Sequence, residues 1–186
     1  YILKNSADLG HYVSDAHVPL HTTENYDGHL TNQKGIHAFW ESRLPELFAD
    51  DYDYLVGTAE YQYSVLDVAW QAVESSFNSL DSVLLFEKEL SLEFEQDKQY
   101  SYEKRGTKTI KVKSADYSLA YHTKLDGMVE RRLRLSIISI GNLWYSAWVD
   151  AGQPILEGMQ KSDNPFTDEI IIDLKITPDD ARGHQH

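Results

Sequence analysis

Two pairs of residues four apart constrain this chain more than anything else in it: His11 with Asp15 in HYVSDAHVPLH, and His37 with Glu41 in GIHAFWES. A spacing of four places two side chains on one face when the backbone is helical. Both stretches therefore read as helices, and each pair can close on one cation. His21 supplies a third imidazole at the end of the first stretch. Pro19 has no N–H, and its ring crowds the carbonyl of Asp15, so the helix is expected to kink or end there. On a straight helix the step from Asp15 to His21 turns through about 600°, which leaves the two side chains well apart in azimuth. A kink lets His21 serve a second, neighbouring ion. The expected centre is thus split, with His11 and Asp15 on one ion, His21, His37 and Glu41 on another, and Asp15 able to bridge. One such pair is ordinarily a solvated contact of a few tenths of a kcal/mol. Two pairs, a third His and the intervening proline outweigh that reading. Zinc takes neutral imidazole and carboxylate readily, and its catalytic sites keep one position for water. His17 reads as a packed or supporting histidine, and His29 as a loop residue.

The rest of the chain is mainly helical in pattern. Tyr1 to Leu20 carries Leu9, Tyr12, Val13 and Ala16 at the spacing of a core-facing helix. Thr22 to Gln33, with Asn25, Asp27, Gly28 and Asn32, reads as a loop over the site. Ile36, Phe39, Trp40, Leu44 and Leu47 mark a second helix, which Pro45 either breaks or restarts. DDYDYLVG reads as a surface turn with its tyrosines packed down onto the helices. Ser64 and Asp67 resemble a cap before a long core helix bearing Leu66, Ala69, Trp70, Val73, Phe77, Leu80 and Leu84.

Lys98 to Lys113 is basic in an acidic chain, and the alternation in TKTIKVK permits a short edge strand or ribbon guarded by lysine. A phosphate-attracting flap is the sharper reading of the same segment. Tyr117, Tyr121, Leu125 and Met128 return to helical spacing, while Glu130, Arg131, Arg132 and Arg134 look like a solvated face. LSIISIGNLWYSAWV is apolar on nearly every side and is expected to be the most buried helix, ended by Gly152 and Pro154. The expected fold is an all-α multi-helix bundle with its metal site between helices. Residues 1–160 form the helical metal-site domain, and 161–186 a polar tail in which EIIIDLKI could be a short strand.

With 186 residues, 41% hydrophobic and 25% charged, the chain suits one globular domain. No run of eighteen apolar residues and no signal-peptide pattern is visible, so no transmembrane segment is expected. There is no Cys and hence no disulfide. The charge of −13 argues against a general nucleic-acid scaffold, though not against a cleft made locally positive by metal ions.

The pattern H-x3-D-x5-H followed by H-x3-E, with PLH inside the first part and a Trp just before the last acid, resembles the zinc-dependent phospholipase C and fungal single-strand nuclease superfamily. His11, Asp15, Pro19, Leu20, His21, His37 and Glu41 carry the match. The resemblance implies an all-helical phosphoesterase with three zinc ions in a cleft. It makes His11 and Asp15 ligands of one ion, Asp15 a bridge, and His21, His37 and Glu41 the ligands of a further ion. Glu41 is the acid of the bacterial phospholipases, whereas the nucleases usually have Asp. The family's amino-terminal Trp, its following His, and a further Asp and His ahead of the first motif are not found here. The chain is therefore expected to be the C-terminal half of a longer, secreted or periplasmic enzyme, inactive alone, with its general base in the missing N-terminal half. The expected substrate is a phospholipid headgroup ahead of nucleic acid, with other phosphodiesters between. Asn25 and Asn32 would orient its phosphate, and Trp40 or a nearby Tyr would stack on a base. Two competitors are a helical binding module whose structural zinc is closed by four protein ligands, and a di-iron bundle, which wants a Glu-x-x-His pair that the motif lacks.

Overall fold

Pro19 shapes the first turn of the chain as its chemistry requires. In the computed structural model, which describes residues 1–156, helix α1 spans Ile2–Ala16 and stops short of the proline. Pro19 then opens a 3-10 turn, Pro19–Thr22, at a position where its missing N–H is not needed. A second 3-10 turn, His29–Thr31, lies in the loop that follows. The next helical segment is made of α2 (Ile36–Ala38), a π-helical stretch (Phe39–Arg43) and α3 (Leu44–Phe48). The N–H of Leu44 reaches the carbonyl of Phe39, five residues back, just before Pro45 interrupts the backbone ladder.

Helix α4 runs over Val65–Glu93, and the Ser64 hydroxyl accepts from the N–H of Asp67 as the capping pattern predicts. Strands β1 (Tyr100–Arg105) and β2 (Lys108–Lys113) pair antiparallel, with Tyr100 opposite Lys113 and Arg105 opposite Lys108. Helix α5 (Ala115–Lys124) is capped by Ser114, and α6 covers Met128–Asp150.

The chain is thus mostly helical, and the hairpin corrects the expectation of an all-α chain. The alternation in TKTIKVK is what makes it strand rather than helix. EIIIDLKI lies outside the described residues. Among the described residues no helix is long and apolar enough to cross a membrane.

The core forms where the site-bearing turns meet α4 and α5. Leu20, Ile36, Phe39, Leu44, Val83, Tyr117, Tyr121 and Leu125 are buried together. The Phe39 ring stacks against Tyr117 and Tyr121 at 5.7 and 4.9 Å, and the Tyr121 hydroxyl donates to the Val83 carbonyl at 2.7 Å. Inside this core the Glu87 carboxylate accepts from Gln33 Nε2 (2.7 Å), from the Tyr117 hydroxyl (2.9 Å) and from Lys113 Nζ (3.2 Å). That network ties loop, hairpin and two helices to one point.

Three burial expectations are corrected. Leu66, Trp70 and Phe77 of α4 are 66, 60 and 59% exposed. The buried face of α4 is Ala72, Ser76, Leu80, Val83, Glu87 and Leu90, about a quarter-turn away, because that is where α5 and the Pro19–Thr22 turn pack. Helix α6 is not buried on all sides, since Leu135, Ile137, Trp144 and Tyr145 are exposed while Val129, Arg132, Ser136, Leu143 and Ser146 face inward. Helix α1 lies against this inward face, where the Ser136 hydroxyl donates to Ser14 Oγ at 3.1 Å. A Cβ at Gly10 of α1 would stand 3.7 Å from the Trp144 ring. Arg132, expected on a solvated face, is buried instead.

Candidate metal centre

The end of α1 and the start of α2 bring the five motif residues into one chain of contacts. His37 and Glu41 meet as the four-residue spacing requires, with Nε2 and Oε2 2.7 Å apart, although the helix widens into its π-helical stretch between them. His21, carried round by the Pro19 turn, places its Nε2 2.8 Å from His37 Nε2 and 3.5 Å from Glu41 Oε2. Its other nitrogen, Nδ1, lies 3.8 Å from Asp15 Oδ1. Asp15 Oδ2 in turn stands 3.5 Å from His11 Nε2. His21 therefore looks toward both halves of the predicted split, and Asp15 sits between them.

Only His21, His37 and Glu41 gather their ligand atoms within 4.8 Å of one another among the described residues. Zinc–nitrogen bonds of about 2.0–2.1 Å in a tetrahedron set ligand atoms about 3.3–3.4 Å apart. The three separations here are 2.8, 2.7 and 3.5 Å, so the donors already bracket that edge. Small side-chain rotations would seat a cation, with a fourth position left over.

Electrostatics favours cations in the same place. Burial alone would raise the Glu41 carboxyl, but hydrogen bonds with His21 and His37 outweigh it and hold the group at about 2. The hydrogen bond to Glu41 raises His21 above its ordinary value against the opposing effect of burial. A carboxylate kept ionised between two imidazoles binds either protons or a metal ion there, and the two compete.

The loop over the centre is braced by its own polar groups. Asn25 Oδ1 accepts from the Leu30 N–H (2.7 Å), and its amide donates to Thr31 Oγ1 (3.0 Å). Asp27 Oδ1 accepts from the N–H of Gly35, immediately before α2. Gly28 has φ 75°, and a Cβ there would meet the Gln33 carbonyl oxygen at 2.4 Å, so only glycine closes this turn.

These contacts settle where the three substrate candidates stand. Asn25 is buried with its amide engaged inside the loop. Trp40 is 3% exposed in the core and presents no face for stacking. Asn32 is exposed, in a left-handed conformation with φ 60°. An aromatic ring beside the centre is Tyr26, half-exposed, with its centroid 5.9 Å from that of His37 and the two rings perpendicular. Its only signal in the sequence is an aromatic residue in a mostly polar loop.

His17 is buried against Ser139 Oγ at 3.1 Å, and burial followed by the charge of Arg132 lowers it to about 4. His29 pairs with Asp27 in the loop at 3.4 Å. The hairpin's basic groups are largely engaged elsewhere: Arg105 with Glu46, Lys113 with Glu87, and Lys111 over the Tyr100 ring.

Compared with family models, curated proteins and solved structures, the chain matches none.

Proposed function

We propose that this chain carries part of a polynuclear zinc centre for phosphodiester hydrolysis, of the type its motifs resemble. The observation that supports this reading is the convergence of His21, His37 and Glu41 on one point, continued through Asp15 to His11. In the proposed bundle, His21, His37 and Glu41 hold one ion between the end of α1 and the start of α2, and Asp15 and His11 supply ligands to the neighbouring position. Zinc bound there would polarise the phosphoryl oxygens and lower the pKa of a bound water. His21 and His37 would ligate through deprotonated nitrogens as metal binding requires, Glu41 and Asp15 would offset the positive charge, and Tyr26 offers an aromatic ring to the substrate beside His37. His11 and Asp15 find no further ligand among the described residues, so the proposal includes completion of their site, and the general base, from polypeptide outside them. The net charge of −13 places a phospholipid headgroup ahead of a single nucleic-acid strand, which gains affinity from cationic grooves. The same reading makes the enzyme secreted or periplasmic.

The test is a parallel assay of the zinc-loaded protein, together with the polypeptide that completes its site, on phosphatidylcholine, single-stranded DNA and a chromogenic phosphodiester. Cleavage of phosphatidylcholine, lost on chelation, is the expected result. Cleavage of DNA alone reverses the substrate order and leaves the centre intact. No cleavage of any of the three, with zinc bound, makes the chain a helical binding module.

A further inference from the structure

We infer that Arg132 is a positioning residue for the cation centre, a role that rests on the reading of His21, His37 and Glu41 as ligands. Arg132 is 4% exposed near the start of α6 and has no ion-pair partner among the described residues. Burial alone lowers its pKa, so the position carries a real desolvation cost. What offsets that cost is a set of directed bonds. Nε donates to the carbonyl of His17 at 2.8 Å, Nη1 to Ser75 Oγ at 2.7 Å, and Nη2 to the carbonyl of Ala72 at 3.2 Å and to Ser76 Oγ. Ser76 Oγ itself donates to the carbonyl of Ala16 at 2.6 Å.

The place of these bonds gives the inference its content. The last carbonyls of a helix have no partner within it, and α1 ends where the chain must turn from Asp15 to His21. The carbonyls of Ser14 and Asp15 accept from the N–H groups of His17 and Val18. Those of Ala16 and His17 have a side-chain donor each, Ser76 and Arg132. The direction in which the chain leaves α1, and with it the placement of His21 opposite His37, is therefore set by a clamp reaching across from α4 and α6. A guanidinium does this because its planar donors serve four acceptors on two segments, the end of α1 and α4. Lysine keeps the charge and cannot reproduce the fork.

The experiment is zinc titration of the 186-residue chain and its variants by competition with a chromophoric chelator, at a temperature where circular dichroism shows each folded. Cobalt(II) absorption serves as a second readout of ligand geometry. Arg132→Lys and the milder Ser76→Ala are expected to weaken zinc about 10–100-fold, the range for residues that orient ligands, and to shift the cobalt bands. Arg131→Lys, on the exposed side of the same helix, is expected to leave both unchanged. If the folded variants, Ser76→Ala included, bind zinc as wild type does with the same cobalt spectrum, the clamp is merely structural and the inference is overturned. If wild type binds neither metal, the reading of the centre fails first and takes the inference with it.

Discussion

Breaking the buried pair between Lys113 and Glu87 from the lysine side should cost more than removing the pair. The two side chains are 14 and 5% exposed and meet at 3.2 Å. Removing one partner of a buried pair costs about 3–5 kcal/mol, because the other charge is left in a poor solvent. In Lys113→Met, Glu87 keeps its bonds from Gln33 and Tyr117, so the lower part of that range applies, about 3–4 kcal/mol. In Glu87→Gln the ammonium of Lys113 remains over the rings of Tyr117, Tyr100 and Phe39 at 4.5, 4.6 and 5.3 Å. Cation–π contacts of about 0.5–1 kcal/mol each reduce that loss to about 1–2 kcal/mol. The double variant leaves no orphaned charge and should cost no more than about 1.5 kcal/mol. Urea denaturation at constant m value measures all three. Strict additivity, with the double variant the least stable, would refute the reasoning.

Gly28→Ala should destabilise by more than about 2 kcal/mol, since it adds a clash with the Gln33 carbonyl to the penalty of a left-handed residue. Gly57→Ala, at φ 93° with open space around it, incurs only the backbone part, and equal losses for the two by thermal denaturation would contradict this account of the loop. His17 is neutral in the fold, with its pKa lowered from 6.5 to about 4, so the unfolded chain binds more protons between those values. Its contribution is complete above pH 6.5 and is lost as pH falls toward 4, reaching about 3 kcal/mol at 1.36 kcal/mol per unit. In His17→Gln the stability profile over this window should flatten, and an unchanged slope would count against burial as the cause. Zinc should leave as pH falls, because protons compete for the imidazole of His21, whose pKa the Glu41 hydrogen bond raises, and content that holds steady down to about pH 5 would exclude His21 as a ligand.

The approach of His21, His37 and Glu41 to one another is legible in the sequence because its logic is local. A spacing of four read through helix geometry put His37 beside Glu41, and the chemistry of Pro19 foretold the turn that brings in His21. Tertiary choices were not legible in the same way. Periodicity showed that Leu66, Trp70 and Phe77 share a face of α4, but α5 and the Pro19 turn pack on a different one. Arg132 stands in a charged run, and its burial is decided by carbonyls and hydroxyls from α1 and α4 that no local pattern announces. Trp40 beside Glu41 suggested an aromatic platform for substrate, yet the helix turns Trp40 into the core and leaves Tyr26 next to His37. The bracing of Asn25 and Gly28 depends on how closely Gln33 returns, which composition does not reveal.

The claim that His21, His37 and Glu41 form a zinc site is tested most directly by elemental analysis of the protein purified without chelator, beside His21→Ala, His37→Ala and Glu41→Ala. Shared over four ligands, the about 10–16 kcal/mol of a protein zinc site is about 2.5–4 kcal/mol per ligand, a loss of roughly two to three orders of magnitude in affinity. The account predicts zinc in the wild type and its depletion in each of the three variants. Wild-type protein without zinc, or variants that retain it in full, would contradict the account.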